Sequence, residues 1–257
     1  NIPFGYLDSV KEFQEKIRNN RSRESISMEF PLKIMEEKTV WLQVECETIL
    51  DETGNPIKAV GYYKDISRQK EQKLQLTKMA ETDALTGLYN RVAVVSKITH
   101  YLANGTYQSG ALLMVDLDDF KQANDVFGHS FGDFILADNA QKLKGFFRSN
   151  DIVGRMGGDE FIVFCAGIPE KSLENKLEQM EKAMTSTYSS EDREIKFSFS
   201  CGYVMIPEQG VKFEELYQKA DIALFAAKLA GKGLYRKYHP EMKKVRYELA
   251  KERDDQL

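Results

Sequence analysis

The stretch Arg155-Met-Gly-Gly-Asp-Glu-Phe161 decides how this chain folds. On either side of it lie two short apolar runs, Ile152 to Arg155 and Phe161 to Ala166. Apolar runs joined by adjacent glycines predict a β-hairpin, because glycine adopts the positive φ angles that tight hairpin turns demand. Asp159 and Glu160 follow Gly157 and Gly158 at once, so two acids project from a rigid turn. The missing side chains also let a ligand approach the backbone closely. A Gly-Gly-Asp turn by itself carries little, because most such turns are only turns.

Upstream, Ala111 to Asp118 (ALLMVDLD) reads as a buried strand that runs into Met114-Val-Asp-Leu-Asp-Asp-Phe-Lys121. Side chains at i and i+2 share one face of a strand, which places Asp116 and Asp118 side by side. Poorly solvated carboxylates are costly when unpaired. A divalent cation removes that cost, and Mg2+ prefers one or two carboxylates together with phosphate oxygens and water. Solvated acids at a strand end that feed a helix N-terminus fit this stretch equally well. The acids after Gly158 break the tie. Acid clusters at the tips of two separate buried strands are characteristic of metal-assisted phosphoryl and nucleotidyl transfer.

Around this centre, from Thr82 onward, helices and strands alternate. Residues 90–103, 131–147 and 170–187 suit helices, and Ile195 to Ile206 suits one strand. Phe213 to Leu229 suits a helix that turns Leu216, Ala220, Ala223, Leu224 and Ala227 inward. Such alternation around a hairpin predicts an α/β fold of the α+β kind, a mixed central sheet flanked by helices with the acids on the hairpin turn. Nearer the N-terminus, Phe4, Leu7, Val10, Phe13 and Ile17 have helical spacing. Ile26 to Ile34 and Val40 to Leu50 then alternate, with Glu36-Glu37-Lys38 as a turn between them. Asp51 to Asn55 makes a second turn, and Ile57 to Tyr63 completes an antiparallel meander. Residues 66–82 lack glycine and proline and predict a helix, either a solvated linker or a dimer seam. The resulting division is 1–66, 67–82, 83–240 and a charged tail, 241–257, which reads as an exposed helix or a frayed end.

A chain of 257 residues suits two domains. A net charge of −4 offers no basic field, which argues against nucleic acid as a partner. A polyanionic ligand would need metal ions and local cations. Cys46, Cys165 and Cys201 sit apart in apolar stretches and read as buried, reduced thiols of a cytoplasmic protein. No apolar run reaches membrane-spanning length. The start at Asn1 suggests a piece of something longer, such as the cytoplasmic part of a membrane-anchored receptor.

Gly157-Gly-Asp-Glu-Phe161 resembles the signature of the GGDEF family, the diguanylate cyclases. Asp83-Ala-Leu-Thr-Gly-Leu-Tyr-Asn-Arg91 is similar to the motif that opens the family's domain. Asp116 to Asp133 (DLDDFKQANDVFGHSFGD) is similar to its metal- and guanine-binding segment, and Ala220-Asp221…Ala226-Ala-Lys228 to its last catalytic helix. These motifs occur in family order over residues 80–240. The resemblance implies a palm-like nucleotidyl cyclase fold and the condensation of two GTP into cyclic di-GMP. Separately, Trp41 to Lys70 resembles the C-terminal half of a PAS sensor domain: Trp41 opens a long strand, Asp51 to Pro56 makes the hairpin, and Asp65-Ile-Ser67 ends the last strand. A ligand for that segment is unknown.

Carried over by position, the family's roles give Asp116 and Asp159 as metal-binding carboxylates, with Leu117 adding a backbone carbonyl. The metal is Mg2+ or Mn2+, two ions per site. Asp159 also accepts a proton, and Glu160 binds metal or orients the ribose. Gly157 and Gly158 border the substrate. Asn124 and Asp133 match the guanine readers, and the chemistry agrees: a carboxylate accepts from guanine N1–H and N2–H2 but repels the N1 acceptor of adenine. His129 reads as a structural histidine or a substrate contact. Lys121, Lys228 and Lys232 would contact phosphates or be surface charges; Lys232 stands where the family usually has Arg. Arg148-Ser-Asn-Asp151 resembles the family's inhibitory product site, a reading that its spacing relative to Gly157 favours over a helix end followed by a turn acid. Because each protomer would hold one GTP, catalysis implies a homodimer. The alternative is a catalytically silent module that binds GTP or cyclic di-GMP and passes a signal.

Overall fold

The computed structural model describes residues 2–22, 24–35, 38–105, 109–190 and 193–244. The chain divides into two compact units, Asn1–Lys78 and Met79–Leu257.

In the first unit a 3-10 turn, Phe4–Tyr6, leads into α1 (Leu7–Asn19). The antiparallel sheet β1 (Ile26–Met35), β2 (Lys38–Leu50) and β3 (Pro56–Asp65) follows, with β2 in the middle. Met28 pairs with Val44 and Phe30 with Leu42, so the alternating apolar residues share one face, where Phe13 of α1 packs on Phe30 and Val44. The carboxylate of Asp51 accepts from the amides of Thr53 (2.9 Å) and Asn55 (2.8 Å), which builds the turn into β3. The expected turn at Glu36 and Glu37 lies outside the described residues, as does the tail beyond residue 244. Helix α2 (Ser67–Glu81) buries no residue fully, and Leu74, Leu76 and Met79 are exposed. Among the described residues no helix is long and apolar enough to cross a membrane.

The second unit is built on a five-stranded mixed sheet. Its strands are β4 (Gly110–Leu117), β5 (Ile152–Gly157), β6 (Glu160–Ala166), β9 (Phe199–Ile206) and β10 (Tyr235–Lys237), in the order β10-β9-β4-β6-β5. Only β10 runs parallel to its neighbour. Helices α3 (Arg91–Ala103) and α7 (Phe213–Leu229) cover one face; α5 (His129–Phe146) and α6 (Glu170–Met184) cover the other. The central strand β4 is buried from end to end, which explains its unbroken apolar sequence. At Gly202 of β9 any Cβ would lie 2.0 Å from the Leu224 amide nitrogen, so this glycine lets α7 rest directly on the sheet.

Three sequence expectations change. The strand expected over 195–206 is two: β8 (Arg193–Phe197) pairs with β7 (Ser186–Ser190) in a separate ribbon, and β9 starts after Ser198. The helix expected over 131–147 begins at His129. The helix expected to reach 187 stops at Met184, because Ser186 already belongs to β7.

Candidate active site

The acids of the two motifs meet at one end of the sheet. Asp116 on β4 lies opposite Glu160 on β6, with Ser200 of β9 on its other side. Gly157 (φ 148°) and Gly158 (φ 53°) make the turn that carries Asp159. Nothing lies within 4 Å of a Cβ built on either glycine, so the turn faces open space. The Leu117 amide donates to the Asp159 carbonyl at 3.3 Å, tying the end of β4 to the turn.

Asp116 is buried, and its Oδ1 accepts from Lys228 Nζ at 2.6 Å. Burial pushes its carboxyl up from 3.8 to about 6; Lys228 works against the rise, while Asp159 and Glu160 add to it. Glu160 is also raised, by burial and then by Asp159 and Asp221, against the pull of Lys228 and Arg91. Asp118 does not join them. Its carboxylate accepts from Ser198 Oγ (2.6 Å), Ser200 Oγ (2.7 Å) and the Gly233 amide (2.8 Å). Asp116 and Asp118 both border Ser200, as its register partner and through its hydroxyl, but their carboxylates have separate partners.

Asp119 (φ 60°) and Lys232 (φ 61°) both hold left-handed backbone conformations, which non-glycine residues adopt at a cost of roughly 1 kcal/mol or more. They are joined by an ion pair of 2.6 Å. The structure therefore places two of the three expected phosphate contacts, Lys228 and Lys232, on carboxylates. Lys121 is exposed on α4 (Phe120–Phe127).

The residues expected to read guanine sit on adjoining helices, Asn124 on α4 and Asp133 on α5. A Cβ on Gly132 would stand 1.9 Å from Asn124 Oδ1, so the Asn124 amide lies against α5 next to Asp133. Asp133 and His129 are both exposed. Arg148 and Asp151 form a local turn: Asp151 Oδ2 accepts from the Arg148 amide at 2.9 Å, and the Asp151 amide donates to the Arg148 carbonyl at 3.0 Å. The Arg148 side chain is exposed.

One participant escaped the sequence reading. Arg155 donates from Nε (2.9 Å) and a terminal nitrogen (2.7 Å) to the Gly158 carbonyl, and from its other terminal nitrogen to Asp83 (3.2 Å). Asp83 also accepts from the Thr86 amide (2.9 Å) and hydroxyl (2.7 Å). Tyr89, later in the same loop, bonds to the β5 edge through Val153 and Arg155. The loop 83–91 is thus a brace for the glycine turn, and a charged residue inside an apolar strand was the available signal.

The donors near Asp116 are carboxylate oxygens, and a buried carboxylate with a single ammonium for compensation suits a hard divalent cation. Among the described residues no three His, Cys, Asp or Glu side chains converge on one point. Substrate phosphates and water would complete such a site, which is the pattern Mg2+ favours.

A mixed sheet that carries acids on two adjacent strand ends, one of them entered through a glycine turn, is the arrangement that the comparisons with known proteins find in GGDEF domains. Residues 80–233 match the family described as "Diguanylate cyclase, GGDEF domain", and the chain belongs to that family. It is 31% identical over 194 residues to the probable diguanylate cyclase DgcE of Escherichia coli, across 73% of this chain and 17% of DgcE. It is 30% identical over 178 residues to the cyclic di-GMP phosphodiesterase PdeR of the same species, across 69% of this chain and 27% of PdeR. The chain therefore spans a minor part of either relative, and their activities differ. Among solved structures, the GGDEF domain of YfiN from Pseudomonas aeruginosa superposes with a TM-score of 0.59 at 28% identity, over 64% of this chain and 98% of that one. A sensory box/GGDEF family protein from Caulobacter crescentus gives 0.53 at 33% identity, over 59% and 99%.

Proposed function

We propose that this chain is a diguanylate cyclase that condenses two GTP into cyclic di-GMP and releases two pyrophosphates. The observation that carries the reading is the pairing of Asp116 with Glu160 beside the Gly157-Gly158 turn, with Lys228 in contact. Asp116, Asp159, Glu160 and the Leu117 carbonyl would hold Mg2+ or Mn2+, two ions per site. When bound, these cations supply charge neutralisation and acidify the ribose 3′-hydroxyl.

The protein's own residues do the rest. Asn124 and Asp133 select guanine by accepting from its edge. Lys121, Lys228 and Lys232 hold phosphate oxygens, and the open turn admits the ribose. The 3′-oxygen bonds to the α-phosphorus, the bond to pyrophosphate breaks, and Asp159 or Glu160 takes the proton. Because two 3′-hydroxyls attack two α-phosphates, two protomers meet face to face, and a homodimer is the working unit. Arg148 and Asp151 belong to a product-inhibition site, and the first sixty-six residues to a PAS-like sensor segment. Its nucleotide substrate puts the protein in the cytoplasm, alone or as part of a membrane-anchored receptor.

Incubation with GTP and Mg2+, followed by chromatography for cyclic di-GMP across protein concentrations, tests the reading. Product that rises more steeply than protein concentration is expected, and Asp116→Asn and Asp159→Asn should each abolish it. Turnover retained in both variants overturns the mechanism. Nucleotide binding by the wild-type chain without pyrophosphate release would instead select the silent signalling module.

A further inference from the structure

Two lysines that the proposed reaction assigns to phosphate are already engaged. Lys228 Nζ lies 2.6 Å from Asp116 Oδ1, and Lys232 Nζ lies 2.6 Å from Asp119 Oδ1. The two pairs differ in setting. The Asp116 side chain is 7% exposed and stands among the acids of the glycine turn, whereas the Asp119 side chain is 48% exposed. Only the first ammonium sits on a carboxylate that the proposed reaction assigns to metal.

An ammonium and a divalent cation cannot both hold one carboxylate oxygen closely without repelling each other. Lys228 can neither stay on Asp116 beside a metal ion nor reach fully to a phosphate while it remains there. From this geometry we infer that Lys228 is a placeholder: its ammonium occupies the metal-binding oxygen of Asp116 and leaves for the triphosphate when metal and nucleotide arrive together. The inference rests on the proposed nucleotide site. Metal alone must displace Lys228 with nothing to receive it, so it binds weakly. Triphosphate offers the displaced ammonium a new partner, so each ligand tightens the other by the same factor. Lys228 suits this exchange because it stands in the last turn of α7 on a flexible stem and its side chain is one-third exposed. Asp116 thereby stays paired at rest, and the site is assembled only by the metal–nucleotide complex.

Mn2+ binding without nucleotide, followed by the loss of the free-ion paramagnetic resonance signal at pH 8, is the direct test. Lys228→Met should bind Mn2+ about fivefold or more tightly than the wild-type chain. Lys228→Gln serves as a second variant that keeps a polar end on the helix. Lys232→Met removes an equal charge nearby and should change the affinity by less than about twofold, which separates displacement from general electrostatics. Asp116→Asn should abolish the tight site in the Lys228→Met background. Unchanged or weaker Mn2+ binding in both Lys228 variants overturns the inference, as does equal tightening by Lys232→Met. Because no nucleotide is present, this outcome is independent of whether the wild-type chain turns over GTP.

Discussion

Asp116 and Asp118 stand two residues apart at the end of β4 and are equally buried, 5% and 4% exposed. Their surroundings differ in kind. Asp118 accepts from two hydroxyls and a backbone amide, and through them joins Ser198, Ser200 and the loop at Gly233 into one piece. Asp116 has one flexible ammonium and two neighbouring acids. A buried carboxylate whose partners are fixed and neutral is part of the scaffold. A buried carboxylate held by a single mobile counter-charge, and crowded by like charges, is poised for a ligand.

The largest expected effect follows from exchanging those roles. Asp118→Ala leaves three donors without an acceptor in a buried place, and should cost about 3–5 kcal/mol. That corresponds to a melting temperature lower by about 10 °C. Asp116→Asn should do the reverse in the absence of divalent metal. The Asp116 carboxyl binds its proton more tightly in the folded chain, at about 6, than at the ordinary 3.8. The charged form is therefore penalised by folding, and stability falls as pH rises from about 4 to 6. Asn carries no such penalty, so the variant should match the wild-type chain near pH 4 and exceed it by about 3 kcal/mol at pH 7. Denaturant melts at the two pH values check both claims. A destabilised Asp116→Asn at pH 7 would break the distinction between the two acids.

A smaller effect tests whether the turn opposite Asp116 depends on its brace. Arg155→Ala removes the donors to the Gly158 carbonyl and to Asp83. We expect a loss of about 2–3 kcal/mol in stability and of roughly 10–100-fold in cyclic di-GMP synthesis, because misplacing reacting groups by about 1 Å has that effect. Arg155→Lys should recover only part, since an ammonium cannot fork between two acceptors. Full turnover in Arg155→Ala would show that the turn holds its own shape.

Gly132→Ala separates function from stability on the nucleotide side. The added Cβ would meet Asn124 Oδ1 at 1.9 Å, Asn124 Cγ at 2.9 Å and Phe120 Cζ at 3.2 Å, so the Asn124 side chain must swing away and the Phe120 ring give by a few tenths of an ångström. Alanine also suits a helix better than glycine by about 1 kcal/mol. The melting temperature should therefore hold or rise slightly, while the KM for GTP rises about tenfold as Asn124 leaves its place. An unchanged KM would remove Asn124 from the list of base readers.

Much of this was legible in the sequence, and what was not has physical reasons. The unbroken apolar run into Asp116 and the glycine pair at 157–158 announced both halves of the site, because each is a local pattern. The α7 stripe was equally plain. β10 was invisible, since three residues after a glycine-rich loop carry no period. The break between β8 and β9 was hidden because the alternation of Ile195, Phe197 and Phe199 runs on through Ser198 without a glycine or proline; it occurs where the Ser198 carbonyl turns to accept from the Asp118 amide at 3.0 Å. The carboxylate partners of Lys228, Lys232 and Arg155 lie far away in sequence, so residue type alone suggested phosphate for two of them and nothing for the third.

Lys232 brings the smallest expected effect. Its ion pair with Asp119 is short, yet both side chains are nearly half exposed, and such pairs contribute about 0–1 kcal/mol. Lys232→Met should thus shift stability by no more than about 0.5 kcal/mol. Its contribution to nucleotide binding should be that of a solvated point charge, a loss of about three- to tenfold in GTP affinity that fades as salt is raised. Lys228→Met, whose partner is buried, should weaken GTP more and keep most of its effect at high salt. The contrast therefore lies in the salt dependence rather than in the size of either loss. If both lysines lost their effect together as ionic strength rose, Asp116 would be no drier than Asp119, and the case for a poised carboxylate beside a satisfied one would fall with it.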